Sequence, residues 1–210
     1  MFASGERALA SVYDLKPRFQ NLLRPLCTAM ARAGITANQV TIAAAVLSLA
    51  LGGAILVTGA SSLTLLLLPP LLLLRMALNA IDGMLAREFA QKSRLGAVLN
   101  ELGDVVSDTA LYLPFAVIPG VNPLLVGLVV ALAVMTEMTG VVAVQIGASR
   151  RYDGPFGKSD RALFFGMFAI VFGVGIAPGD WTMIALALAA ALGALTMVNR
   201  ARGALRERAP

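Results

Sequence analysis

The fold is decided by residues 79–108, which read NAIDGMLAREFAQKSRLGAVLNELGDVVSD. Strongly apolar runs flank this polar stretch, so carboxylates lie beside segments that suit a membrane interior. On a helix, residues three or four apart share a face. This spacing relates Asn79 to Asp82, and it also relates Asn100, Asp104 and Asp108. The stretch therefore predicts two helices, each with one polar face.

The composition is that of an integral membrane protein. Of the 210 residues, 58% are hydrophobic and 14% are charged, whereas about 25% are charged in a typical soluble domain. At this length a single domain over residues 1–210 is expected. The single cysteine, Cys27, excludes an internal disulfide. The chain has no histidine, so a bound metal would have oxygen ligands, which favours a hard cation such as Mg²⁺ or Mn²⁺.

Six apolar segments are each near the roughly 20 residues that a helix needs to cross a bilayer. Before them, apolar residues recur at helical spacing among charges, which predicts an amphipathic helix at the membrane interface over residues 8–32. The predicted fold class is therefore all-α integral membrane, with six transmembrane helices preceded by an amphipathic juxtamembrane helix. The predicted spans are residues 39–58, 63–89, 95–118, 122–148, 160–177 and 181–199.

The basic residues predict the orientation of these spans. Residues 59–62, 119–123 and 178–180 contain no Lys or Arg, and every basic residue except Arg75 falls on the opposite side. By the positive-inside rule, both termini and the 79–108 stretch face the cytoplasm. The net charge of +5 is thus explained by topology and anionic lipid headgroups, and no nucleic-acid partner is expected.

A short cytoplasmic hairpin between spans two and three would bring their polar faces together. Asn79, Asp82, Asn100 and Asp104 would then surround one point near the inner surface. Carboxylates buried at close range repel each other, and a divalent metal relieves that repulsion. Such a metal can neutralise the oxygens of a pyrophosphate under attack.

The same stretch supplies groups that could bind and activate substrates. With no histidine, a carboxylate must act as the general base, and Asp104 is the candidate. Gly83 and Gly96 leave room for a substrate against the helices. Arg87 can bind a phosphate through two parallel hydrogen bonds.

The spacing Asp82-Gly83-x2-Ala86-Arg87-x8-Gly96-x3-Asn100-x3-Asp104 resembles the signature of the CDP-alcohol phosphotransferases, Asp-x2-Asp-Gly-x2-Ala-Arg-x8-Gly-x3-Asp-x3-Asp. The resemblance implies transfer of a phosphoalcohol, with CDP-diacylglycerol as the expected donor, to an unidentified alcohol, with release of CMP. It implies that Asn79, Asp82 and Asn100 are metal ligands, and that Asp104 is the base and a further ligand. It also implies a homodimer.

The chain departs from this signature at its first and third aspartates, which are Asn79 and Asn100. An amide oxygen is a weaker ligand for a hard cation than a carboxylate, so the site would hold one metal or two. Glu101 or Asp108 could compensate for the lost charge. The variant resembles a subgroup of bacterial inner-membrane members. The alternative is a catalytically degenerate protein that binds the nucleotide lipid without turnover.

Two further segments resemble family patterns. Thr36-Ala-Asn38-x2-Thr41 is similar to a Pro-Asn-x2-Thr stretch of the donor pocket, although it could equally be a helix cap. Gly157-Lys158-x2-Arg161 resembles a pattern that binds the acceptor, often a phosphorylated one. The resemblance implies that Arg151, Lys158 and Arg161 bind the acceptor; the alternative is a loop that is basic for topological reasons alone.

Arg75, Asp108 and Glu137 are expected at similar depth within spans two, three and four. Pairing reduces the cost of charges in a membrane, so at least one pair between Arg75 and a carboxylate is predicted. An Asp108 held by Arg75 would not readily replace a metal ligand. A small-solute transporter that uses this cluster is a third hypothesis, but the outer halves of the spans offer it little polar lining.

Overall fold

Helices account for all the regular secondary structure of residues 12–207, the part of the chain that the computed structural model describes; side chains are described from residue 18. The predicted all-α fold is thereby confirmed. The first four residues predicted for the juxtamembrane helix, 8–11, lie outside this range. The elements are α1 (Val12–Arg32), α2 (Ala37–Val57), α3 (Ser62–Leu66), α4 (Leu68–Glu88), α5 (Arg94–Tyr112), a 3-10 helix (Leu113–Val117), α6 (Pro123–Gln145), α7 (Lys158–Gly173) and α8 (Asp180–Arg206).

Within the described residues, four helical segments are long and apolar enough to cross a membrane: α2, α3 with α4, α6 and α8. The other two predicted spans correspond to α5 and α7. Helix α5 carries Arg94, Glu101, Asp104 and Asp108, and α7 has only 16 residues and begins with charged ones. The multi-pass character of the chain is thus supported by four helices, and the six-span arrangement stays a prediction.

Prolines explain where the predicted spans are interrupted. The second span is divided at Leu67, and α4 then begins with Pro69 and Pro70 in its first turn. Proline is tolerated there because the N–H groups of a first turn have no helical acceptor. The third span changes at Leu113 to a 3-10 helix that contains Pro114, which cannot donate the hydrogen bond that would continue α5.

Close packing of α2 against α5 depends on Gly52. A Cβ added there would collide with the backbone carbonyl of Ala110 on α5, whereas one added at Gly53 would meet open space. Only the first of these two glycines therefore makes a close helix contact. Around α5, the aromatic core includes Tyr112 and Phe165, whose rings stack with centroids 4.3 Å apart.

The helices run between two ends of the bundle that differ in charge. At one end, the loops without basic residues meet, because a Cβ added at Gly120 would lie 3.3 Å from Pro178. At the other end, the start of α2 meets the start of α5, since Asn38 lies beside Gly96. The connection between α4 and α5 lies at this second end, so residues 79–108 are gathered at the basic end of the bundle.

Candidate active site

Side-chain caps position the helices at the basic end. Thr36 and Gln39 form a reciprocal capping box at the start of α2, with the Gln39 amide donating to the Thr36 hydroxyl and the Thr36 amide donating to the Gln39 side chain. Ser93 caps α5 by accepting from the Gly96 amide at 2.9 Å. Gln91, between α4 and α5, accepts from the Ala37 amide at 2.7 Å and ties this connection to α2.

A cavity of about 470 Å³, the α2–α4–α5 cavity, opens between these three helices. Six of the seven residues predicted to bind the donor line it: Asn38, Thr41, Gly83, Ala86, Arg87 and Gly96. The seventh, Thr36, uses its hydroxyl in the cap of α2 and is absent from the lining. The remaining lining residues are Ala37, Asp82, Gln91, Lys92, Ser93, Ala97 and Asn100.

The two motif glycines make room for the cavity's own polar side chains. A Cβ added at Gly96 would lie 2.8 Å from the Asn38 Oδ1, and one added at Gly83 would lie 3.1 Å from an Arg87 guanidinium nitrogen. Both distances are tighter than ordinary carbon contacts. Larger residues at these positions would therefore displace Asn38 and Arg87. Gln91, Lys92 and Ser93 were not predicted as site residues, although they occupy the eight-residue interval of the motif.

Asp82 is buried and has little to offset its charge. Its side chain accepts a hydrogen bond from the Thr41 hydroxyl at 2.8 Å, and the residue is only 6% exposed. Among the side chains of residues 18–207, no Lys or Arg lies within ion-pair distance of it. A buried carboxylate without a cation is costly, so this position suits a bound metal ion.

Asp104 differs from Asp82 because cationic and amide groups already surround it. Its Oδ1 atom lies 2.5 Å from Lys158 Nζ and 3.9 Å from an Arg75 guanidinium nitrogen. Asn79 Nδ2 donates to the same oxygen at 3.3 Å. All three contacts are made with Oδ1, and Oδ2 takes part in none of the three.

The structure divides the four predicted metal ligands between two regions. Asn79 contacts Asp104, whereas Asp82 and Asn100 line the α2–α4–α5 cavity. Within residues 12–207, no three His, Cys, Asp or Glu side chains are grouped closely enough to hold a metal. The donor set that remains, two carboxylates and two amide oxygens, suits a hard cation.

A second cavity of about 300 Å³, the Lys158 cavity, lies between α5, α6, α7 and α8. Of the three residues predicted to bind the acceptor, only Lys158 lines it. Arg151 instead pairs with Asp153 at 2.7 Å and Glu207 at 2.8 Å. The hydrogen bonds from Arg151 lower the pKa of the Asp153 carboxyl. Arg161 is 1% exposed and pairs with carboxylates inside the bundle.

A buried ion network accounts for Arg161. The Glu137 carboxylate accepts from Arg161 at 2.8 Å and from Arg150 at 3.1 Å, and Arg200 lies 3.4 Å away. Glu137 therefore joins α6 to α7, to α8 and to the loop before α7. Its link to Arg150 and Arg200 was not predicted, because both arginines were interpreted only as topological charges.

The same network engages both carboxylates that were expected to compensate for Asn79 and Asn100. Asp108 pairs with Arg75 at 2.9 Å and Arg161 at 3.6 Å, which confirms the predicted pair between Arg75 and a carboxylate. Glu101 accepts two bonds from Arg150, at 2.9 and 2.7 Å. Both carboxylates balance arginines, so the structure gives them a role other than metal ligation.

An apolar groove of about 480 Å³ runs between α4 and α7. Asn79, Arg75, Asp108 and Lys158 lie at its polar part, and the rest is aliphatic, including Leu72, Leu73, Met76, Leu163, Met167 and Ile170. Lys158 lines both this groove and the Lys158 cavity. Asn100 lines both the α2–α4–α5 cavity and the Lys158 cavity, so the three concave regions adjoin one another through these shared residues.

Comparison with known proteins relates most of the chain to one family. Residues 34–197 match the family model described as CDP-alcohol phosphatidyltransferase. The chain is 47% identical over 195 residues to the inner membrane protein YnbA of Escherichia coli, covering 93% of this chain and 96% of that protein.

Solved structures show a similar fold. The phosphatidylinositol phosphate synthase of Mycobacterium tuberculosis with CDP-DAG bound superposes with a TM-score of 0.71 at 21% identity, covering 89% of this chain and 98% of that chain. The same synthase in complex with manganese and citrate gives a TM-score of 0.72 at 20% identity, covering 87% and 88%. At this level of identity, the likeness establishes the fold.

Proposed function

This chain belongs to the CDP-alcohol phosphatidyltransferase family, and from that premise we propose that it transfers a phosphatidyl group from a CDP-diacylglycerol-like donor to an alcohol and releases CMP. The observation that carries the proposal is the α2–α4–α5 cavity. It gathers six predicted donor residues around Asp82, a buried carboxylate without a cationic partner among the described side chains. Such a reaction belongs to phospholipid biosynthesis.

The donor would occupy two of the three concave regions. The α2–α4–α5 cavity, at about 470 Å³, falls within the range of small-molecule sites and would take the nucleotide. Arg87 and Lys92 line it and would bind phosphate oxygens. The acyl chains would lie in the apolar groove between α4 and α7. The solved relative whose structure contains CDP-DAG supports a donor of this kind.

A single Mg²⁺ or Mn²⁺ would be held by Asp82 and Asn100, with the donor's phosphates completing its coordination. The Asp82 carboxylate, which accepts a hydrogen bond from the Thr41 hydroxyl and has no ion-pair partner among the described side chains, fits a hard cation, and a relative of the same fold was solved with manganese. When bound, the metal would neutralise charge on the pyrophosphate and orient the leaving group. Asn79 lies on the Asp104 side, where it would orient that carboxylate.

Asp104 would act as the general base. The acceptor hydroxyl loses its proton to Asp104, and its oxygen forms a bond to the β-phosphorus of the donor. The bond from that phosphorus to the bridging oxygen breaks, and CMP leaves with the electron pair. Asn79 and Lys158 hold the Oδ1 atom, so Oδ2 would receive the proton.

The proposed topology of the protein has six membrane spans in one domain. Helices α5 and α7 would cross the membrane together with the four apolar segments, because buried pairs balance their charges. Both termini and the site would face the cytoplasm at a bacterial inner membrane, where the Escherichia coli relative is placed by its name. The protein would form a homodimer.

Release of CMP tests the proposed function. Purified protein in proteoliposomes with CDP-diacylglycerol and a panel of alcohols should release CMP in Mg²⁺ or Mn²⁺. Removal of the metal with EDTA should abolish release, and either cation should restore it. No CMP from any donor and alcohol, with CDP binding intact, would favour the non-catalytic alternative, which the engagement of Asp104 by Lys158 supports.

The number of bound metals is a separate prediction. Of the two motif carboxylates, Asp104 is already neutralised by Lys158, so only Asp82 remains to balance a divalent cation together with the donor's phosphates. We therefore expect one Mn²⁺ per chain, counted by titration with electron paramagnetic resonance. Asn79→Asp combined with Asn100→Asp should add a second, spin-coupled Mn²⁺. Two coupled ions in the unchanged protein would contradict the one-metal assignment.

A further inference from the structure

The Lys158 cavity is rich in charge but has no excess of positive charge. Its lining contains three cations, Arg150, Lys158 and Arg200, and four carboxylates, Glu101, Asp104, Glu137 and Asp160, so its net charge is −1. Sites that bind phosphate usually present unpaired cations or free backbone N–H groups. The contacts of the lining residues decide whether the cavity offers either.

Each cation of the lining is already paired within the protein. Lys158 Nζ lies 2.5 Å from Asp104. Arg150 makes a two-bond pair with Glu101 and a further bond to Glu137. Arg200 donates to the Thr136 carbonyl oxygen at 2.6 Å and lies 3.4 Å from Glu137. All three cations that line the cavity in the described structure are therefore engaged before a phosphate arrives.

The N-terminus of α7 also borders the cavity, and a carboxylate already occupies it. Asp160 Oδ2 accepts from the Gly157 amide at 2.8 Å. This is the place where the positive end of the helix dipole would otherwise attract an anion. Asp160 would also repel a phosphate.

We infer that the Lys158 cavity selects an acceptor alcohol without a phosphate group. The inference rests on the proposed function, since it identifies the acceptor of that reaction. Hydroxyl or ammonium groups can donate to the carboxylates at the rim, Glu101 and Asp160. A phosphate has no such complement and would have to break the pair between Arg150 and Glu101. The proposed metal lies on the Asp82 side, so its binding leaves Lys158 with Asp104.

Matched acceptor pairs test the selection through turnover. Glycerol is compared with glycerol 3-phosphate, and inositol with inositol 1-phosphate, by CMP release from CDP-diacylglycerol in proteoliposomes; each phosphorylated member keeps a free hydroxyl that could react. At least one unphosphorylated member should react about tenfold or more faster than its partner, since one charge-assisted hydrogen bond of about 1.5–3 kcal/mol corresponds to that factor or more. Faster reaction of a phosphorylated member would overturn the inference and leave the proposed function standing.

A second measurement does not depend on turnover. Glu101→Gln releases the two-bond pair of Arg150 and removes one negative charge from the lining. Calorimetric titration with glycerol 3-phosphate should therefore show at least about tenfold tighter binding than in the unchanged protein. Glu207→Gln is the matched control, because Glu207 pairs with Arg151 outside the cavity, and it should bind as weakly as the unchanged protein. Absence of a gain in Glu101→Gln, or tight binding before any change, would overturn the inference even if no acceptor releases CMP.

Discussion

Asp104→Asn is expected to lower kcat for CMP release by about three orders of magnitude, since general-base catalysis contributes roughly 10²–10⁴. The amide nearly preserves the size of the side chain but cannot accept the acceptor's proton. Asp104 does not line the α2–α4–α5 cavity, so CDP should still bind. Steady-state kinetics in proteoliposomes, together with equilibrium binding of CDP, would measure both quantities.

Asp180→Asn is the matched control for this substitution. Asp180 is an exposed carboxylate in the first turn of α8, at the end of the bundle that lacks basic loops. It should retain nearly full activity. If Asp104→Asn kept more than about a tenth of the activity, another group would have to remove the proton, since a general base is worth at least roughly 10².

The sequence predicted the positions of the site residues on their helices better than it predicted their partners. Spacing by three and four residues places Asp82 and Asp104 on polar faces because helix geometry is local. The partner of Asp104 is Lys158, 54 residues further along the chain. Nothing local distinguishes Lys158, which reaches Asp104, from Arg161, which is buried in the core. The two lie three residues apart and share a helix face, and Lys158 is the first residue of α7 whereas Arg161 lies nearly one turn further along it.

The pattern of basic residues also did not determine which arginines enter the bundle. A basic loop satisfies the positive-inside rule whether its arginines face water or enter the bundle, so the roles of Arg150 and Arg151 were open. In the structure, Arg150 turns inward to Glu137, whereas Arg151 pairs at the surface with Asp153 and Glu207. Such choices depend on tertiary packing, which hydropathy does not contain.

Glu137→Ala is expected to destabilise the fold by about 3–5 kcal/mol, the usual cost of breaking a buried ion pair from one side. It leaves Arg200 without its paired carboxylate and Arg161 with only the longer pair to Asp108, and both arginines are about 2% exposed or less. The loss is large against a total stability of about 5–15 kcal/mol. For a chain of this size, the midpoint of thermal unfolding should fall by about 10 °C, as measured by circular dichroism in detergent.

Glu207→Ala is the control that separates the loss of a buried ion pair from the loss of an exposed one. Glu207 also binds an arginine, Arg151, but at an exposed position, where water replaces the lost partner and the midpoint should change little. The midpoint of Glu137→Gln should lie between those of the two alanine variants, because its amide oxygen still accepts hydrogen bonds from the arginines but carries no charge. The buried Cys27 gives an independent readout of unfolding. Its reaction with a thiol probe should begin at a lower temperature in Glu137→Ala than in the unchanged protein. Equal midpoints for Glu137→Ala and Glu207→Ala would show that the three arginines are stable without Glu137, and that the network does not hold α6, α7 and α8 together.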